Sequence, residues 1–189
     1  VSSSRIGILQ SARRLIAERG AAITMAEVAK AAGVSRQAVY LHFSSRASLF
    51  MAVVRYMDEE DGIQARCQEA LRAADPVEAL RAFTLTWLRY AAGIRPVAMA
   101  LSSSRHEDPD ASAAWNDRMA ELRAGFLAAV SAVASAGRLR PGLNVSAASE
   151  IAWAMTSVPV WEQLTVDCGR PPAEAEQHLS DAVINALTV

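Results

Sequence analysis

Thr24-Met25-Ala26-Glu27-Val28-Ala29-Lys30-Ala31-Ala32-Gly33-Val34-Ser35 carries two helix starts and one helix stop in quick succession. Thr24 stands just before a short apolar-periodic run, and Glu27 follows three positions later. That spacing lets each side chain satisfy an orphan backbone donor at the other, a capping box, and predicts a helix over Met25 to Ala32. Gly33 can take the left-handed conformation that closes it, and Ser35 can cap a second helix over Arg36 to about His42. Two short helices joined so tightly are the signature of a helix-turn-helix.

Outward from this stretch the helical reading continues. Ile8, Leu9, Ala12, Leu15 and Ile16 recur at three- and four-residue spacing, predicting a helix from about Ser4 to Arg19 that Gly20 stops. On the other side Phe43 enters the core, and Ser45 caps a longer helix beginning at Arg46 and carrying Leu49, Phe50, Val53, Val54 and Met57. Beyond Gly62, helices are expected over about Ile63 to Ala73, Pro76 to Ala92, Pro96 to Leu101, Pro109 to Ala136, Val145 to Thr165 and Pro172 to Leu187. Asp75-Pro76 and Asp108-Pro109 each place a capping carboxylate before a proline at the first helical position, while Gly137 and Pro141-Gly142 lie between a pair of long helices and separate them. Ser102 to Ser104 reads as a loop, and Pro159 should bend its helix or loosen a turn. With 52% hydrophobic residues, 21% charged and few β-branched runs, the chain is expected to be all-α.

The net charge of -1 hides an asymmetry. Residues 1 to 50 carry seven basic side chains (Arg5, Arg13, Arg14, Arg19, Lys30, Arg36, Arg46) against Glu18 and Glu27, a net of +5, and the remainder carries -6. A basic module for a polyanion joined to a module with another task fits this distribution. Cys67 and Cys168 lie far apart and form no paired metal-ligand motif, so neither a disulfide framework, a metal site nor a cofactor is expected. No apolar run approaches the roughly 20 residues needed to cross a bilayer, and Val1 to Gln10 lacks a signal core, so a cytoplasmic location is expected.

Ile8 to Val53, with the quoted stretch at its centre and Tyr40-Leu41-His42-Phe43 after it, resembles the DNA-binding domain of TetR-family repressors. The resemblance combines capped helices, the Ala-Gly-Val-Ser turn, the Tyr-x-His-Phe helix end and a basic residue opening the next helix. Three departures stand out. Arg46 replaces the commoner lysine, keeping the charge and changing the hydrogen-bond geometry. Gln37-Ala38 stands where glycine-threonine is common, so operator preference does not transfer, and Leu15-Ile16 replaces a frequent Leu-Phe pair in the core.

The resemblance implies a dimeric repressor with a DNA-binding domain over residues 1-47 and an effector-binding, dimerising domain over 48-189. The second short helix would enter a major groove of double-stranded DNA, with the side chains near its start closest to base edges. Arg36 and Gln37 are the base-reading candidates, because arginine can bond guanine through two donors and glutamine can pair similarly with adenine. Thr24, Ser35, Tyr40, His42 and Arg46 are placed to hold phosphates. Structural roles compete: Thr24 and Ser35 also cap helices, and Tyr40 can pack. Ser2 to Arg5 could track a groove, although a frayed terminus is the simpler account.

For the second domain the resemblance implies a small-molecule effector. Phe83, Trp87 and Tyr90 share one helix face, Trp115 and Met119 another, with Phe126, Trp153 and Met155 on neighbouring segments. They line an apolar cavity or form an ordinary core. The low charge around them points to a largely apolar or aromatic ligand. The last two helices are the dimerisation candidates in such relatives, through Ile151, Met155, Val158, Leu179, Val183, Ala186 and Leu187, some of which must close the monomer core instead.

Two other function classes compete with this one. Arg105-His106-Glu107-Asp108 is the polar cluster that invites an enzyme, but Asp108 is explained as a helix cap, Asp110 suits the positive helix terminus, and His106 has no nucleophile in this pattern. A sequence-indifferent DNA-packaging protein should carry more positive charge than the acidic second domain allows. Activation in place of repression stays open, since groove binding does not set the sign of control.

Overall fold

Helix accounts for every multi-residue regular element among the described residues of the computed structural model, which are 3–106 and 108–189, with the side chains of Ser3, Asp110 and Ala114 excepted. Three expectations therefore touch positions outside the described residues: a groove-tracking arm at Ser2, Glu107 in the polar cluster, and the Asp110 carboxylate at a helix start.

The helices are α1 (Ser3–Arg19), α2 (Met25–Ala32), α3 (Arg36–His42), α4 (Arg46–Asp61), α5 (Ile63–Ala70), α6 (Pro76–Ser104), α7 (Pro109–Ser135), α8 (Val145–Met155), α9 (Val158–Glu162) and α10 (Pro172–Leu187). A 3-10 turn (Gly20–Ala22) follows α1, and a π-helical turn (Gln163–Asp167) follows α9. Among the described residues, a single bridge between extended residues joins Leu139 to Thr188. The all-α expectation is met.

The chain forms two compact units. One holds the chain through Asp61 together with Ile94–Arg118, and the other holds Gly62–Gly93 and Met119–Val189. In the first unit α1 packs on α2 and α4, and α2 on α3. Its core is the apolar stripe expected of α1 (Ile8, Leu9, Ala12, Ile16) closed by Val28, Val39, Leu49, Phe50 and Val53, all fully buried. In the second unit α10 packs on α8 and α9, and Phe83 of α6 meets Phe126 of α7 edge to face at 5.0 Å.

Three expectations about helix limits are corrected. The segments 76–92 and 96–101 are one helix, with Pro96 inside α6. Proline forfeits one backbone hydrogen bond and crowds the preceding turn, at a cost of about 3 kcal/mol. Burial of Ala91, Ile94, Val97, Ala98 and Leu101 on both sides of it holds the helical register against that cost. Ser102 to Ser104 are not a loop but the last turn of α6, where the Ser103 and Ser104 hydroxyls donate back to the Ala100 carbonyl at 3.0 and 2.9 Å. The segment 145–165 is broken: Ser157 is extended (φ -67°, ψ 149°), and α9 restarts with Pro159 in its first turn, where the missing N–H has no intrahelical partner to lose.

The end of α10 is closed by a distant side chain. Arg140 donates to the carbonyls of Ala186 (3.0 Å), Thr188 (3.3 Å) and Asn185, and its own N–H bonds Leu187 O at 2.8 Å. A cation thus satisfies the carbonyls that the helix leaves over and complements its negative end.

Candidate nucleic-acid interface

The α2–α3 corner is built as its residues demand. The Thr24 hydroxyl accepts from Glu27 N at 3.3 Å, and the Glu27 carboxylate accepts from Thr24 N at 2.8 Å, so the capping box is closed at both ends. Gly33 lies in the left-handed region (φ 66°, ψ 29°), where its N–H and that of Val34 return to the carbonyls of Lys30 and Ala29. Any side chain there would be strained. Ser35 Oγ then accepts from Ala38 N at 3.0 Å and starts α3.

Val39 and Phe43 drive one face of α3 into the core, at 0% and 3% exposure. That leaves Ser35, Arg36, Gln37, Tyr40, Leu41 and His42 together on the solvent side. The Arg36 guanidinium sits 5.6 Å from the Tyr40 ring centroid, within cation-π range. A short helix anchored by two apolar residues, with Ser35, Arg36, Gln37 and His42 exposed beside Tyr40 and Leu41, can present donors to a groove without rearranging its core.

The remaining phosphate candidates carry structural duties in this state. The Thr24 hydroxyl donates its single proton to the Glu27 carboxylate at 2.8 Å. Arg46 is exposed, but its Nη1 donates to Ala21 O at 3.0 Å and its guanidinium lies 5.8 Å from the Phe50 ring. It thereby ties the start of α4 to the turn before α2. Glu27 is itself held by Arg19 Nη1 at 2.6 Å; that bond first, and the Thr24 bonds after it, lower its pKa from 4.5 to about 2.

Two side chains on this surface escape a reading of the sequence. Leu41 is 81% exposed, the most exposed of the large apolar residues on the described surface. Its signal is the position between Val39 and Phe43, off the core stripe. Lys30, exposed in the last turn of α2, is legible only as a charge.

The aromatic set divides. Phe83, Trp87 and Tyr90 are buried in the second unit, where Trp87 Nε1 donates to Thr156 O at 2.9 Å. Met119 and Trp153 are half-buried in that unit, with the Arg123 guanidinium 5.4 Å from the Trp153 ring. Trp115 belongs to the first unit, where Arg105 lies 5.1 Å from its ring and donates to His106 Nε2 at 3.2 Å. The polar cluster at Arg105 and His106 is thus spent on packing and a local hydrogen bond. Also in the first unit, Arg118 grips Asp58 of α4 through two bonds of 3.0 and 3.2 Å, and Arg55 pairs with Asp117 at 3.6 Å.

The residues expected at a dimer interface are also split. Val158, Leu179, Val183 and Leu187 are buried within the single chain, whereas Ile151 is exposed and Met155 and Ala186 are half-exposed. Among the described residues no group of three or more His, Cys, Asp and Glu is placed to hold a metal ion, and no helix is long and apolar enough to cross a membrane.

Comparison with known proteins bears on the whole chain. Residues 8–53 match the family described as bacterial regulatory proteins, tetR family. The HTH-type transcriptional repressor AcnR of Corynebacterium efficiens is 31% identical over 144 residues, covering 76% of this chain and 72% of the relative. The HTH-type transcriptional regulator TtgR of Pseudomonas putida is 35% identical over 83 residues, and the chain spans only 40% of its length. Among solved structures, the fatty acid degradation regulator FadR of Bacillus halodurans superposes with a TM-score of 0.78 at 16% identity, covering 97% of this chain and 96% of that one. A TetR-family regulator from Rhodococcus sp. gives 0.75 at 21% identity, with complete coverage of both chains. These last two likenesses concern the fold.

Proposed function

The chain belongs to the TetR family of bacterial transcriptional regulators, which are generally repressors, and from that premise we propose that it is a ligand-responsive repressor released from a palindromic operator by a small, largely apolar molecule. The observation that carries this reading is the exposed face of α3, with Arg36 and Gln37 at its start and Val39 and Phe43 anchoring its back.

In this reading residues 1-47 bind DNA. Arg36 and Gln37 read bases, and Ser35, Tyr40 and His42 hold phosphates. Arg46 reaches a phosphate with the guanidinium donors that Ala21 O does not use, and Thr24 does so by exchanging its bond to Glu27. Residues 48-189 bind the effector and pair two copies, with Phe83, Trp87, Tyr90, Met119 and Trp153 as the effector candidates of the second unit. Ile151, Met155 and Ala186 are the pairing residues that the chain's own core leaves uncovered. No cofactor is required, and the protein works in the cytoplasm, where its operator lies.

A homodimer must offer two recognition helices to successive major grooves about 34 to 36 Å apart, so a change in their separation costs operator contacts. An effector that favours the wider state by about 1 to 3 kcal/mol lowers operator affinity roughly 5- to 150-fold, and bound DNA weakens effector binding reciprocally. The proposed route runs through α4, whose Asp58 is gripped by Arg118 of α7.

Selection of bound genomic fragments by the purified protein tests the reading, comparing the native form with Arg36→Ala and Gln37→Ala. A palindromic site is expected, with information lost at discrete bases in each variant and a penalty of about 1 to 3 kcal/mol per lost bidentate contact. Recovery of no preferred sequence would withdraw the repressor assignment.

A further inference from the structure

Buried polar groups in the second unit obey a simple rule with two exceptions. Thr84, Ser149, Thr156 and Thr188 are buried in or at the ends of helices, and each donates to the carbonyl four residues back at 2.6 to 2.8 Å. Trp87, buried as an indole, donates to Thr156 O. Ser180 is fully buried on α10 and makes no such bond, nor any other among the described residues. Trp161, 7% exposed on α9, likewise has no acceptor for its Nε1–H among them. The helices that carry the two residues pack against each other.

An orphaned buried donor is costly, and native interiors hold few of them. A serine inside a helix ordinarily has a remedy one turn back, and Ser180 does not take it. The two unmet donors sit on helices that pack against each other, in a unit where the buried threonines, Ser149 and Trp87 are all bonded.

We infer that Trp161 Nε1–H and Ser180 Oγ–H are the polar anchor of the effector site, which takes a largely apolar molecule bearing an uncharged acceptor oxygen, a ketone or lactone carbonyl. This rests on the effector reading above and names the ligand class for it. An indole only donates, so the ligand must accept. A carboxylate is disfavoured because Glu176 lies one turn before Ser180 on the same helix with its side chain only 12% exposed, and its partner Arg89 approaches no nearer than 3.8 Å. Burial raises the Glu176 pKa, in keeping with a surrounding that resists negative charge.

The test uses the full-length protein labelled with nitrogen-15. Its four indole N–H signals come from Trp87, Trp115, Trp153 and Trp161. Trp161→Phe assigns the fourth; if that variant does not fold, Phe variants of the other three assign it by elimination. The probes are cyclic ketones and lactones of about six to twelve carbons, each paired with the hydrocarbon of the same skeleton. The expected result is a downfield shift of the Trp161 N–H with the carbonyl probes and none with the hydrocarbons. Trp161→Phe and Ser180→Ala should each reduce the preference for carbonyl over hydrocarbon, by roughly tenfold for the indole. Probes that bind and move the Trp87 or Trp153 signals while leaving Trp161 unmoved overturn the anchor and leave the effector reading standing. Failure of every carbonyl and hydrocarbon probe to bind overturns both.

Discussion

Glu27 holds three bonds at once: it accepts from Arg19, from Thr24 N and from the Thr24 hydroxyl. All three favour the charged carboxylate, so its pKa falls from 4.5 to about 2 on folding. For a carboxyl whose folded value is the lower one, the unfolded chain binds more protons between the two values. The contribution of Glu27 is therefore complete above about pH 4.5 and is withdrawn as pH falls toward 2. Glu27→Gln should flatten this acid loss. Urea unfolding at pH 7 and pH 3 is the measurement, and an equal loss in wild type and variant would show that the capping box does not titrate with folding. The box itself is readable in the sequence because its partners lie three residues apart. The Arg19 bond, from another helix eight residues away, is not.

At the scale of the element, Gly125 shows what a helix face gains from lacking a side chain. A Cβ there would clash with Phe83 Cζ and stand 2.9 Å from Phe83 Cε2, well inside contact distance. Phe83 has little room to yield, being 3% exposed and set edge to face on Phe126. Gly125→Ala should therefore destabilise the protein by about 1 to 3 kcal/mol through overpacking, despite alanine's higher helix propensity. Phe83→Leu in the same chain should recover some of the loss. Denaturant midpoints of the two single variants and the double variant measure this; strict additivity would mean that the two residues do not meet. The prolines mark the limit of element-level reading. Pro96 reads as a boundary and lies inside α6, whereas Pro159 does mark one. The proline ring is identical in both. What differs is the backbone ahead of the ring, helical through Pro96 and extended at Ser157 before Pro159, although buried residues flank both prolines.

For the whole molecule, a net charge of -1 conceals a basic first fifty residues. Operator affinity should fall linearly in the logarithm of salt concentration, with a slope set by phosphate contacts and not by net charge. Arg46→Ala should weaken binding on all sequences alike and shallow the slope by about 1, while Gln37→Ala should leave the slope unchanged and alter sequence preference. Titrations of operator and random duplexes at several salt concentrations decide this. An unaltered slope in Arg46→Ala would assign that arginine wholly to its bond with the Ala21 carbonyl.

The helix-turn-helix, the all-α class and most helix starts were settled by interactions that span three or four residues: Thr24 with Glu27, Ser35 with Ala38, Asp75 with Glu78, and glycine at a left-handed stop. Such interactions close within one turn, so the order of residues alone determines them. Only the tertiary structure decided which apolar faces the chain consumes for itself. Val183 and Leu187 serve its core while Ile151 stays open, and Trp115 packs under Arg105 in the first unit, whereas the Phe83 set belongs to the second. It also decided that Trp87 has an acceptor and Trp161 has none among the described residues. Burial and hydrogen-bond satisfaction are set by neighbours far along the chain, and helical periodicity says which face is apolar without saying what covers it.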